Sequence, residues 1–284
     1  MRVLVTGARG MLGRQVAREY QKRGVTVYPL ARQELDITNC EQVFSILDKI
    51  GPNIVVNCAA YTDVDGAEQE KEKAFLMNGL GPRYLALACR RCGAALVQIS
   101  TDYIFDGKAE GPYRIYDTPC PINIYGASKL FGEASVREIG GRFYIARTSW
   151  LFGPNGKNFV DTILSLARER DELKVVNDQH GTPTYTVDLA GALADLADSK
   201  AYGTYHVTNS GSASWYELAK TVVYAAGLNA SIAPCKTREF PRPAARPGNS
   251  VLDPFPLKQV IGYNLPGWED AARRYLKEKT VMEV

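Results

Sequence analysis

The first half of the chain alternates short apolar runs with amphipathic stretches. The apolar runs are RVLVTG, VTVYPL, NIVVNCAA, AALVQIS and RFYIARTSW, and their nearly continuous hydrophobicity is typical of strands buried on both faces. Stretches with helical spacing lie between them, at about 11–23, 38–50 and 66–91 and in the segment YGASKLFGEASVREI. Strands that alternate with helices predict an α/β fold with a doubly wound parallel sheet.

The pattern changes after Trp150. The helical segments NFVDTILSLARER, VDLAGALADLA and SWYELAKTVVYAAG follow, and short strands and proline-rich loops separate them. We therefore predict a nucleotide-binding domain over residues 1–150 and a smaller C-terminal substrate-binding lobe over residues 151–284. The lobe is expected to be partly interwoven with the first domain, because a late segment such as GTYHVTN could return to the main sheet.

Composition and charge exclude several classes of protein. The 284 residues are 45% hydrophobic, and a net charge of +3 gives no reason to expect nucleic acid or a membrane as a partner. The chain contains no run of about 18 apolar residues, the length needed to span a bilayer. The apolar strand at the N-terminus leaves no room for a signal peptide. We therefore expect a cytoplasmic protein. One local basic cluster, interleaved with prolines, is more typical of a pocket rim for an anionic ligand than of a nucleic-acid patch. It consists of Arg238, Arg242 and Arg246.

The six cysteines do not form the kind of framework that holds zinc or builds disulfides. Cys89 and Cys92 make a CxxC motif, but it lies inside the helical segment LALACRRC and has no second pair. Zinc needs four ligands, and only the distant His180 and His206 could contribute. We therefore predict reduced cysteines and no metal.

A glycine-rich loop follows the first strand. The segment VTGARGMLG places Gly7, Gly10 and Gly13 between that strand and the first helix. The glycines permit a tight turn and close approach of the backbone to a pyrophosphate, and the helix N-terminus offers unpaired N–H groups. A glycine turn without a ligand is the alternative, because glycine spacing alone is a weak indicator. In this strand–loop–helix context we predict an NAD(P)-binding Rossmann domain.

Two arginines favour NADP over NAD as the cofactor. An acid at the tip of the second strand would bind the ribose diol, but YPLARQELD carries Arg32 there, and Arg9 lies within the glycine loop. We therefore predict NADPH as the preferred cofactor. Because both arginines could instead be solvated surface residues, NADH is the alternative. Further residues suited to the adenine and to the cofactor's path along the third strand are Asp36, Ile37, Ala59 and Ala60.

Candidate reactive groups lie at the end of the fourth strand and on the helix that follows. QISTDYIFDG ends that strand with Ser100 and Thr101, at the edge where ligands bind in doubly wound sheets. Tyr125 and Lys129 are four residues apart and so share one face of a helix. An ammonium group lowers the pKa of a neighbouring phenol from about 10 towards neutrality, and Thr101 would hydrogen-bond the substrate oxygen. An exposed tyrosine–lysine pair is the alternative.

Six motifs occur in order along nearly the whole chain: VVNCAAYTDVDGAE, STDYIFDG, YGASKLFGE, RTSWLFG, NDQHGTPTYTVDLA and RPGNSVLD. Together they resemble the dTDP-4-dehydrorhamnose reductase family of the extended short-chain dehydrogenase/reductase superfamily. YxxxK is common to the superfamily, whereas the combination of STDYIFDG, RTSW and RPGNS is much more specific. The resemblance implies reduction of the C4 ketone of dTDP-4-dehydro-L-rhamnose to dTDP-L-rhamnose by hydride from NADPH or NADH.

The resemblance also implies a role for each matched residue. Tyr125 is the expected proton donor to the ketone oxygen, Lys129 binds the nicotinamide ribose and tunes Tyr125, and Thr101 assists. The residues expected along the cofactor are Gly10, Met11, Leu12, Asp36, Ile37, Ala59, Ala60 and Tyr61. The residues expected at the sugar are Thr101, Asp102 and Trp150, with Arg246 and Asn249 in the family's C-terminal substrate loop. A plain core aromatic is the alternative interpretation of Trp150.

The sequence departs from the family at a position that bears on quaternary structure. Some family members bind a divalent ion between subunits through glutamates, one of them just after the glycine loop. This chain has basic and neutral residues there, from Arg14 to Arg18, before Glu19. We therefore predict no metal-bridged dimer. We expect a monomer or homodimer that binds a nucleotide sugar as its substrate.

Two other functions fit the same motifs. A nucleotide-sugar epimerase or dehydratase of the superfamily would hold its cofactor tightly, and a dehydratase adds an acid pair beside the threonine, where this chain has Asp102 and Tyr103. A regulatory subunit resembling the beta subunit of methionine adenosyltransferase would bind NADP as a structural ligand and use the helical lobe as a partner surface. Turnover of the dTDP-keto-sugar distinguishes these functions.

Overall fold

The computed structural model describes residues 1–282, with side chains described up to residue 279. Its strands are β1 (Arg2–Thr6), β2 (Thr26–Leu30), β3 (Ile54–Asn57), β4 (Ala95–Thr101), β5 (Phe143–Thr148), β6 (Leu151–Phe152), β7 (Glu172–Val176), β8 (His180–Gly181), β9 (Thr184–Tyr185), β10 (Gly203–His206), β11 (Ala213–Ser214) and β12 (Ser231–Cys235). Its α-helices are α1 (Met11–Lys22), α2 (Cys40–Ile50), α3 (Val64–Ala67), α4 (Lys71–Phe75), α5 (Gly81–Cys92), α6 (Ile124–Ile139), α7 (Phe159–Glu169), α8 (Thr186–Ser199), α9 (Trp215–Ala225), α10 (Leu257–Ile261) and α11 (Trp268–Met282).

Six parallel strands form the main sheet, in the order β10-β5-β4-β3-β1-β2. The chain runs from β1 outward to β2, returns across β1 to β3, and then continues to the opposite edge. The carboxyl ends of all six strands therefore lie at one edge of the sheet, and the reversal between β1 and β3 is where such sheets bind ligands. The predicted doubly wound parallel sheet is confirmed.

The edge strand β10 comes from the second half of the chain. Gly203 to His206 pair in parallel with Tyr144 to Arg147 of β5. The segment GTYHVTN thus returns to the main sheet, and the two halves of the chain are interwoven at this strand. The division into domains at residue 150 stays a prediction.

The stretch predicted as one helix at 66–91 is divided into α3, α4, a π-helical segment (Leu76–Leu80) and α5. Pro82 lies in the first turn of α5. Because proline has no N–H, it cannot donate the helical hydrogen bond to the carbonyl of Asn78, four residues before it. The regular helix is interrupted at that point, although the hydrophobic periodicity continues through it.

Hydrophobic cores on both faces of the sheet and in the C-terminal half hold the layers together. On one face of the sheet α1 and α8 bury residues such as Val16 and Leu193. On the other face α2, α5 and α6 bury residues such as Leu85 and Val136. The C-terminal half builds a further core around α7, α9 and α11, with Leu218 at its centre. The sheet is thus covered on both faces, as its continuous apolar strands require.

Helix α6 lies unusually close to the π-helical segment. A Cβ atom at Gly132 of α6 would collide with the carbonyl oxygen of Asn78 and contact the ring of Pro82. This carbonyl is the one that Pro82 cannot satisfy, so the local break in the helix and the close approach of α6 occur at the same place. Glycine at position 132 allows the two backbones to meet.

Two glycine substitutions in helices should therefore act in opposite directions. We expect Gly132→Ala to destabilise the fold by about 1–3 kcal/mol, because the added methyl group overpacks the contact with Asn78. Gly191→Ala in α8 should stabilise by about 0.5–1 kcal/mol, because its Cβ would meet no described atom within 4 Å and alanine is the better helix former. Urea unfolding of both variants and the wild type measures these changes. Equal stability of the two variants would contradict the close contact.

Candidate active site

The main cleft opens at the carboxyl edge of the sheet and has a volume of about 910 Å³. The loop after β1, the ends of strands β3, β4 and β5 and the start of α6 contribute to its lining, and the C-terminal half completes it. The residues predicted from the sequence that line the cleft are Gly7, Arg9, Gly10, Met11, Leu12, Gly13, Arg32, Asp36, Ile37, Ala59, Ala60, Tyr61, Thr101, Asp102, Tyr125, Lys129 and Trp150. One continuous cleft therefore brings the predicted cofactor residues next to the predicted catalytic ones.

The glycine loop joins β1 to α1 by a turn that needs glycine. Gly7 has φ of +61°, and a Cβ there would collide with the backbone of Ala59 at the end of β3. A Cβ at Gly13 would collide with the carbonyl oxygen of Gly7. Helix α1 begins at Met11 with Gly10 as its N-cap, and glycine has no side chain that could cap the helix. The first N–H groups of α1 are therefore available to an anion such as a pyrophosphate.

The two arginines that favour NADP lie in different surroundings. The Arg32 side chain is 68% exposed, and its Nε donates to Asp36 Oδ2 at 3.3 Å. Arg9 is exposed in the glycine loop, where its carbonyl oxygen accepts a hydrogen bond from Arg14 Nε at 3.0 Å. Both residues line the cleft, so their charges favour an anionic ligand at this end.

Asp36 and Ile37 form the wall after β2. The Asp36 carboxylate accepts hydrogen bonds from the Thr38 backbone N–H at 2.9 Å and from the Thr38 hydroxyl at 2.7 Å. Burial alone would raise the Asp36 pKa, but these bonds and the Arg32 guanidinium lower it overall, so the carboxylate is ionised. Ile37 is buried against Gly81, where a Cβ would collide with the isoleucine side chain. Their contact with adenine stays a prediction.

A row of buried side-chain hydrogen bonds crosses three neighbouring strands near their carboxyl ends. Thr6 Oγ1 of β1 donates to Asn57 Oδ1 of β3 at 2.5 Å, and Asn57 Nδ2 donates to Gln98 Oε1 of β4 at 2.8 Å. Gln98 Nε2 donates to the carbonyl oxygen of Ile99 at 2.9 Å. The same oxygen also accepts a hydrogen bond from Lys129 Nζ at 2.6 Å. Because unpaired buried polar groups are costly, this row fixes the strand ends relative to Lys129.

Tyr125, Lys129 and Thr101 meet in one part of the cleft. Asn123 caps the N-terminus of α6 through its side chain and so fixes the first turn, where Tyr125 lies. Thr101 at the end of β4 lies next to the phenol and acts to lower its pKa. The ring of Tyr103 packs edge-on against the ring of Tyr125, with centroids 5.8 Å apart.

Desolvation controls the protonation of the two ionisable groups in this part of the cleft. It raises the pKa of the Tyr125 phenol to about 12, against the neighbouring Thr101 hydroxyl, which lowers it. It lowers the pKa of the Lys129 ammonium to about 8, against the charge of Glu133, which raises it. The raised pKa of Tyr125 is the reverse of the lowering predicted from YxxxK spacing, because desolvation of a phenolate outweighs its polar neighbours here. At neutral pH the phenol is protonated and the amine is mostly charged.

Asp102 follows Thr101 and is buried at the end of β4. Its Oδ1 accepts a hydrogen bond from Thr101 Oγ1 at 2.9 Å. Burial raises the pKa of this carboxyl to about 6, although the nearby Ser250 and Thr101 hydroxyls act to lower it. The residue is therefore mostly ionised at neutral pH and can accept hydrogen bonds from a ligand.

Trp150 forms part of an aromatic wall of the cleft. Its backbone has φ of +49°, which is unusual for a large side chain. Its ring stacks on Trp215, with ring centroids 3.4 Å apart and planes 3° from parallel. A Cβ at Gly181 would collide with the same indole, and Trp215 Nε1 donates to Gln179 Oε1 at 3.2 Å. Trp150 is half-buried and lines the cleft, so it is more than a core aromatic.

Arg246 and Asn249 are not among the described residues that line the cleft. Arg246 Nη1 pairs with Asp65 Oδ1 at 3.1 Å. Asn249 Nδ2 donates to the carbonyl oxygens of Ala109 at 2.8 Å and Gly111 at 3.0 Å. Asn249 thus holds two loops together, and contact of either residue with a substrate stays a prediction.

Other cleft residues escaped prediction from the sequence. They include Asn57, Cys58, Thr62, Lys73, Met77, Tyr103, Thr148, Ser149, Lys157 and Trp215. Asn57 and Cys58 lie in NCAA, and Thr148 and Ser149 lie in RTSW. Their position at the end of a predicted strand could have indicated that they line the cleft. For Trp215, the signal was a large aromatic at the start of the helical segment SWYELAK.

Neither a metal site nor a membrane-spanning helix is found within residues 1–282. No group of three His, Cys, Asp or Glu side chains there could hold a metal ion. Within that same part of the chain, no helix has the length and apolarity needed to cross a membrane. All six cysteines carry free thiols. Glu19 pairs with Arg23 at 2.8 Å, and the absence of a metal-bridged dimer stays a prediction.

His206 of β10 is fully buried behind the cleft. Its Nδ1 lies 2.9 Å from the carbonyl oxygen of Asp253, and its Nε2 lies 3.4 Å from Arg147 Nη1. A neutral ring with its proton on Nδ1 satisfies both contacts, because the carbonyl accepts and the guanidinium donates. Burial, followed by the charge of Arg147, lowers the pKa of His206 to about 4.

Comparison with known proteins identifies the family. The family model described as RmlD substrate binding domain matches residues 1–281. The spore coat polysaccharide biosynthesis protein SpsK of Bacillus subtilis is 43% identical over 98% of each chain. The dTDP-4-dehydrorhamnose reductase of Burkholderia thailandensis is 43% identical over 95% of this chain and 96% of its own. The chain belongs to the dTDP-4-dehydrorhamnose reductase family.

A solved structure supports the same membership. The dTDP-4-dehydrorhamnose reductase of Bacillus anthracis, in complex with NADP, is 44% identical and superposes with a TM-score of 0.94 over 98% of this chain and 99% of that one. The family resemblance and the Rossmann-type fold predicted from the sequence are confirmed. The match covers both halves of this chain, so the C-terminal half belongs to the shared architecture.

The buried His206 should make the stability of this reductase-family protein depend on pH. Between about pH 6.5 and pH 4 the unfolded chain binds a proton at His206 that the folded protein does not bind. Stability should therefore fall by about 3 kcal/mol as the pH decreases through this interval, and the loss should be complete below pH 4. We expect His206→Gln, which keeps a donor and an acceptor, to flatten this dependence in urea unfolding. His180→Gln at an exposed site is the control, and identical slopes for the two variants would contradict the assignment.

Proposed function

We propose that this protein reduces the C4 ketone of dTDP-4-dehydro-L-rhamnose to dTDP-L-rhamnose with NADPH. The reaction named for its relatives supports the substrate, and the NADP bound to the Bacillus anthracis protein supports the cofactor. The observation that carries the proposal is the convergence of Tyr125, Lys129 and Thr101 in the cleft into which the glycine loop opens. When bound, NADPH supplies the hydride that adds to C4.

The residues around the cleft fit this cofactor. The uncapped N-terminus of α1, at Met11 and Leu12, offers N–H groups to the pyrophosphate. Arg9 and Arg32 offer guanidinium groups to the 2′-phosphate, which is absent from NAD. Lys129 offers its ammonium to the nicotinamide ribose. NADH fits the same cleft but leaves both guanidinium groups without that phosphate, so NADPH is the preferred cofactor.

Tyr125 donates the proton in this reaction. Its O–H bond breaks as an O–H bond forms on the ketone oxygen, which gains the electron pair of the C=O bond when C4 receives hydride. A donor must begin as a phenol, and the pKa of about 12 ensures this at neutral pH. Donation leaves a phenolate, which a buried site disfavours unless a positive charge is near. Lys129, one turn further along α6, supplies that charge, and the Thr101 hydroxyl hydrogen-bonds the same oxygen.

The sugar would lie between the end of β4 and the aromatic wall. The Asp102 carboxylate can accept hydrogen bonds from sugar hydroxyls, and Trp150 offers an indole ring to pack on the sugar. Stacking on Trp215 holds that indole in place. The loop that carries Arg246 lies beside this region, with its arginine paired to Asp65, and it is the proposed substrate loop.

The alternatives differ from this proposal in what happens to NADPH. An epimerase or dehydratase would regenerate its cofactor in each cycle, and a regulatory subunit would bind NADP without consuming it. We infer that the chain acts in the cytoplasm as a monomer or homodimer without a nucleic acid partner, which the small net charge of +3 supports.

Removal of the Tyr125 hydroxyl should abolish most of the turnover. We expect Tyr125→Phe to lower kcat for NADPH oxidation with dTDP-4-dehydro-L-rhamnose by about 10²-fold or more, because the proton donor is lost while the ring remains. Tyr224→Phe, at a position 86% exposed on α9, is the matched control and should retain wild-type activity. Near-wild-type kcat in Tyr125→Phe would contradict the assignment of the donor. Binding without consumption of NADPH by the wild type would favour the regulatory subunit.

The choice between NADPH and NADH should depend on Arg32. We expect Arg32→Ala to raise KM for NADPH about 10-fold and to leave KM for NADH unchanged, because only NADPH presents the 2′-phosphate. Arg83→Ala removes an arginine that is also ion-paired at the surface, with Glu138 at 2.9 Å, and serves as the control. Equal changes in KM for the two cofactors would argue against Arg32 as the phosphate ligand.

A further inference from the structure

The stripe of α6 that carries the reactive groups extends one turn beyond Lys129. Tyr125, Lys129 and Glu133 are spaced four residues apart and so lie on one face of the helix. The first two contact Thr101 and the Ile99 carbonyl oxygen at the end of β4. Glu133 contacts the residue between these two. Three successive turns of the helix thus face three consecutive residues of the strand.

Glu133 is an ionised carboxylate in the interior, with its side chain only 1% exposed. Its Oε1 accepts from Ser100 Oγ at 2.5 Å and from Arg147 Nε at 3.0 Å. Its Oε2 accepts from Arg147 Nη2 at 2.9 Å and from Arg137 Nη2 at 2.7 Å. Burial would raise the pKa of Glu133, but the bonds and charge of Arg147, Ser100 and Arg137 lower it overall.

Lys129 is buried as well, and its hydrogen-bond acceptor is a neutral carbonyl. The nearby negative charge comes from Glu133, one turn along the same helix. The other titratable or charged groups that face this pair are Tyr125 and Arg137 on α6, Cys58 after β3, Arg147 on β5 and His206 on β10. Burial keeps Cys58 and His206 neutral at pH 7. Glu133 therefore supplies the negative charge next to Lys129, whereas the charge of Asp102 acts on Tyr125.

We propose that Glu133 is a positioning residue of the reaction: its carboxylate keeps Lys129 in the cationic form and holds the end of β4 against α6. Glu133 is not among the described residues that line the cleft, so it acts through Lys129 and Ser100. The inference rests on the proposed function, because the charge on Lys129 matters for the phenolate that Tyr125 leaves when it donates its proton.

The expected pH dependence follows from the direction of each effect. Burial lowers the pKa of Lys129 to about 8, and the charge of Glu133 acts in the opposite direction. The ammonium is present below that pH and is lost above it, so turnover that needs it declines on the alkaline side. Without the carboxylate the pKa of Lys129 falls further, and the decline moves into the neutral range.

A single Glu133→Gln substitution is a poor test, because it leaves the buried Arg147 guanidinium without its carboxylate and so endangers the fold. We therefore compare Arg147→Met, in which Ser100 and Arg137 still donate to the Glu133 carboxylate, with the double variant Glu133→Gln/Arg147→Met, which removes that carboxylate. Both lack Arg147, so changes in packing and in the titration of His206 are common to the two. Glu138→Gln, five residues further along α6 at the surface, is the control for loss of a carboxylate.

Kinetics should separate the two variants. In NADPH oxidation with dTDP-4-dehydro-L-rhamnose from about pH 6 to pH 9.5, we expect the alkaline decline of kcat near pH 8 in the wild type and in Glu138→Gln. Arg147→Met should decline at the same pH or higher. The double variant should decline about one pH unit lower or more, as expected for loss of a nearby opposite charge. At pH 8 it should turn over several-fold more slowly than Arg147→Met.

A direct titration of Lys129 gives a readout without turnover. NMR of lysine side chains in the labelled protein, with Lys129→Met to identify the signal, should show the same order of pKa values. Ser100→Ala tests the other half of the proposal: it keeps the carboxylate but removes the strand contact, so kcat should fall while the alkaline decline stays in place. If the double variant does not fold, Glu133→Leu/Arg147→Met replaces the pair by apolar side chains and carries the same expectation.

Coincident pH profiles and coincident Lys129 titrations in Arg147→Met and the folded double variant would overturn the proposal. A wild type that binds NADPH but does not consume it would defeat the proposed function instead. In that case the NMR titration still decides whether Glu133 holds the charge on Lys129.

Discussion

The bonding between the end of β4 and one face of α6 determines where the reactive groups of this protein lie. Each of the three contacts uses different chemistry: hydroxyl with phenol, ammonium with carbonyl, and hydroxyl with carboxylate. Displacing the helix by one turn, about 5.4 Å, would break all three at once. The cap at Asn123 and the close approach at Gly132 fix the same helix from its other sides, so the register has support along its length.

Buried polar groups extend this order across the sheet. The row from Thr6 through Asn57 to Gln98 reaches the carbonyl oxygen that accepts Lys129 Nζ. The strand that precedes the glycine loop is thereby joined to Lys129, one turn from the proposed proton donor Tyr125. One end of a bound dinucleotide must contact the glycine loop and the other must lie near Lys129. The polar row sets the distance between these two places before any ligand binds.

The parts of this structure that follow local rules could be predicted from the sequence. Apolar runs, helical spacing and the glycine loop predicted the parallel sheet and the cofactor end of the cleft. The direction of the Tyr125 pKa could not be predicted, because it depends on desolvation by residues far apart in the chain. Glu133 and Arg147 escaped for the same reason, since their burial as a pair appears only when α6 packs on β5.

The C-terminal half helps to position helix α6 as well as completing the cleft. Asn123, whose oxygen caps α6, uses its Nδ2 to donate to the Ala245 carbonyl oxygen at 2.8 Å. Arg246, the next residue, pairs with Asp65 of the first half. The loop proposed to contact the substrate is therefore attached to the first turn of α6. The following turns, at Lys129 and Glu133, are hydrogen-bonded to β4. Such a division lets loops vary with the sugar while the strand–helix contact preserves the chemistry.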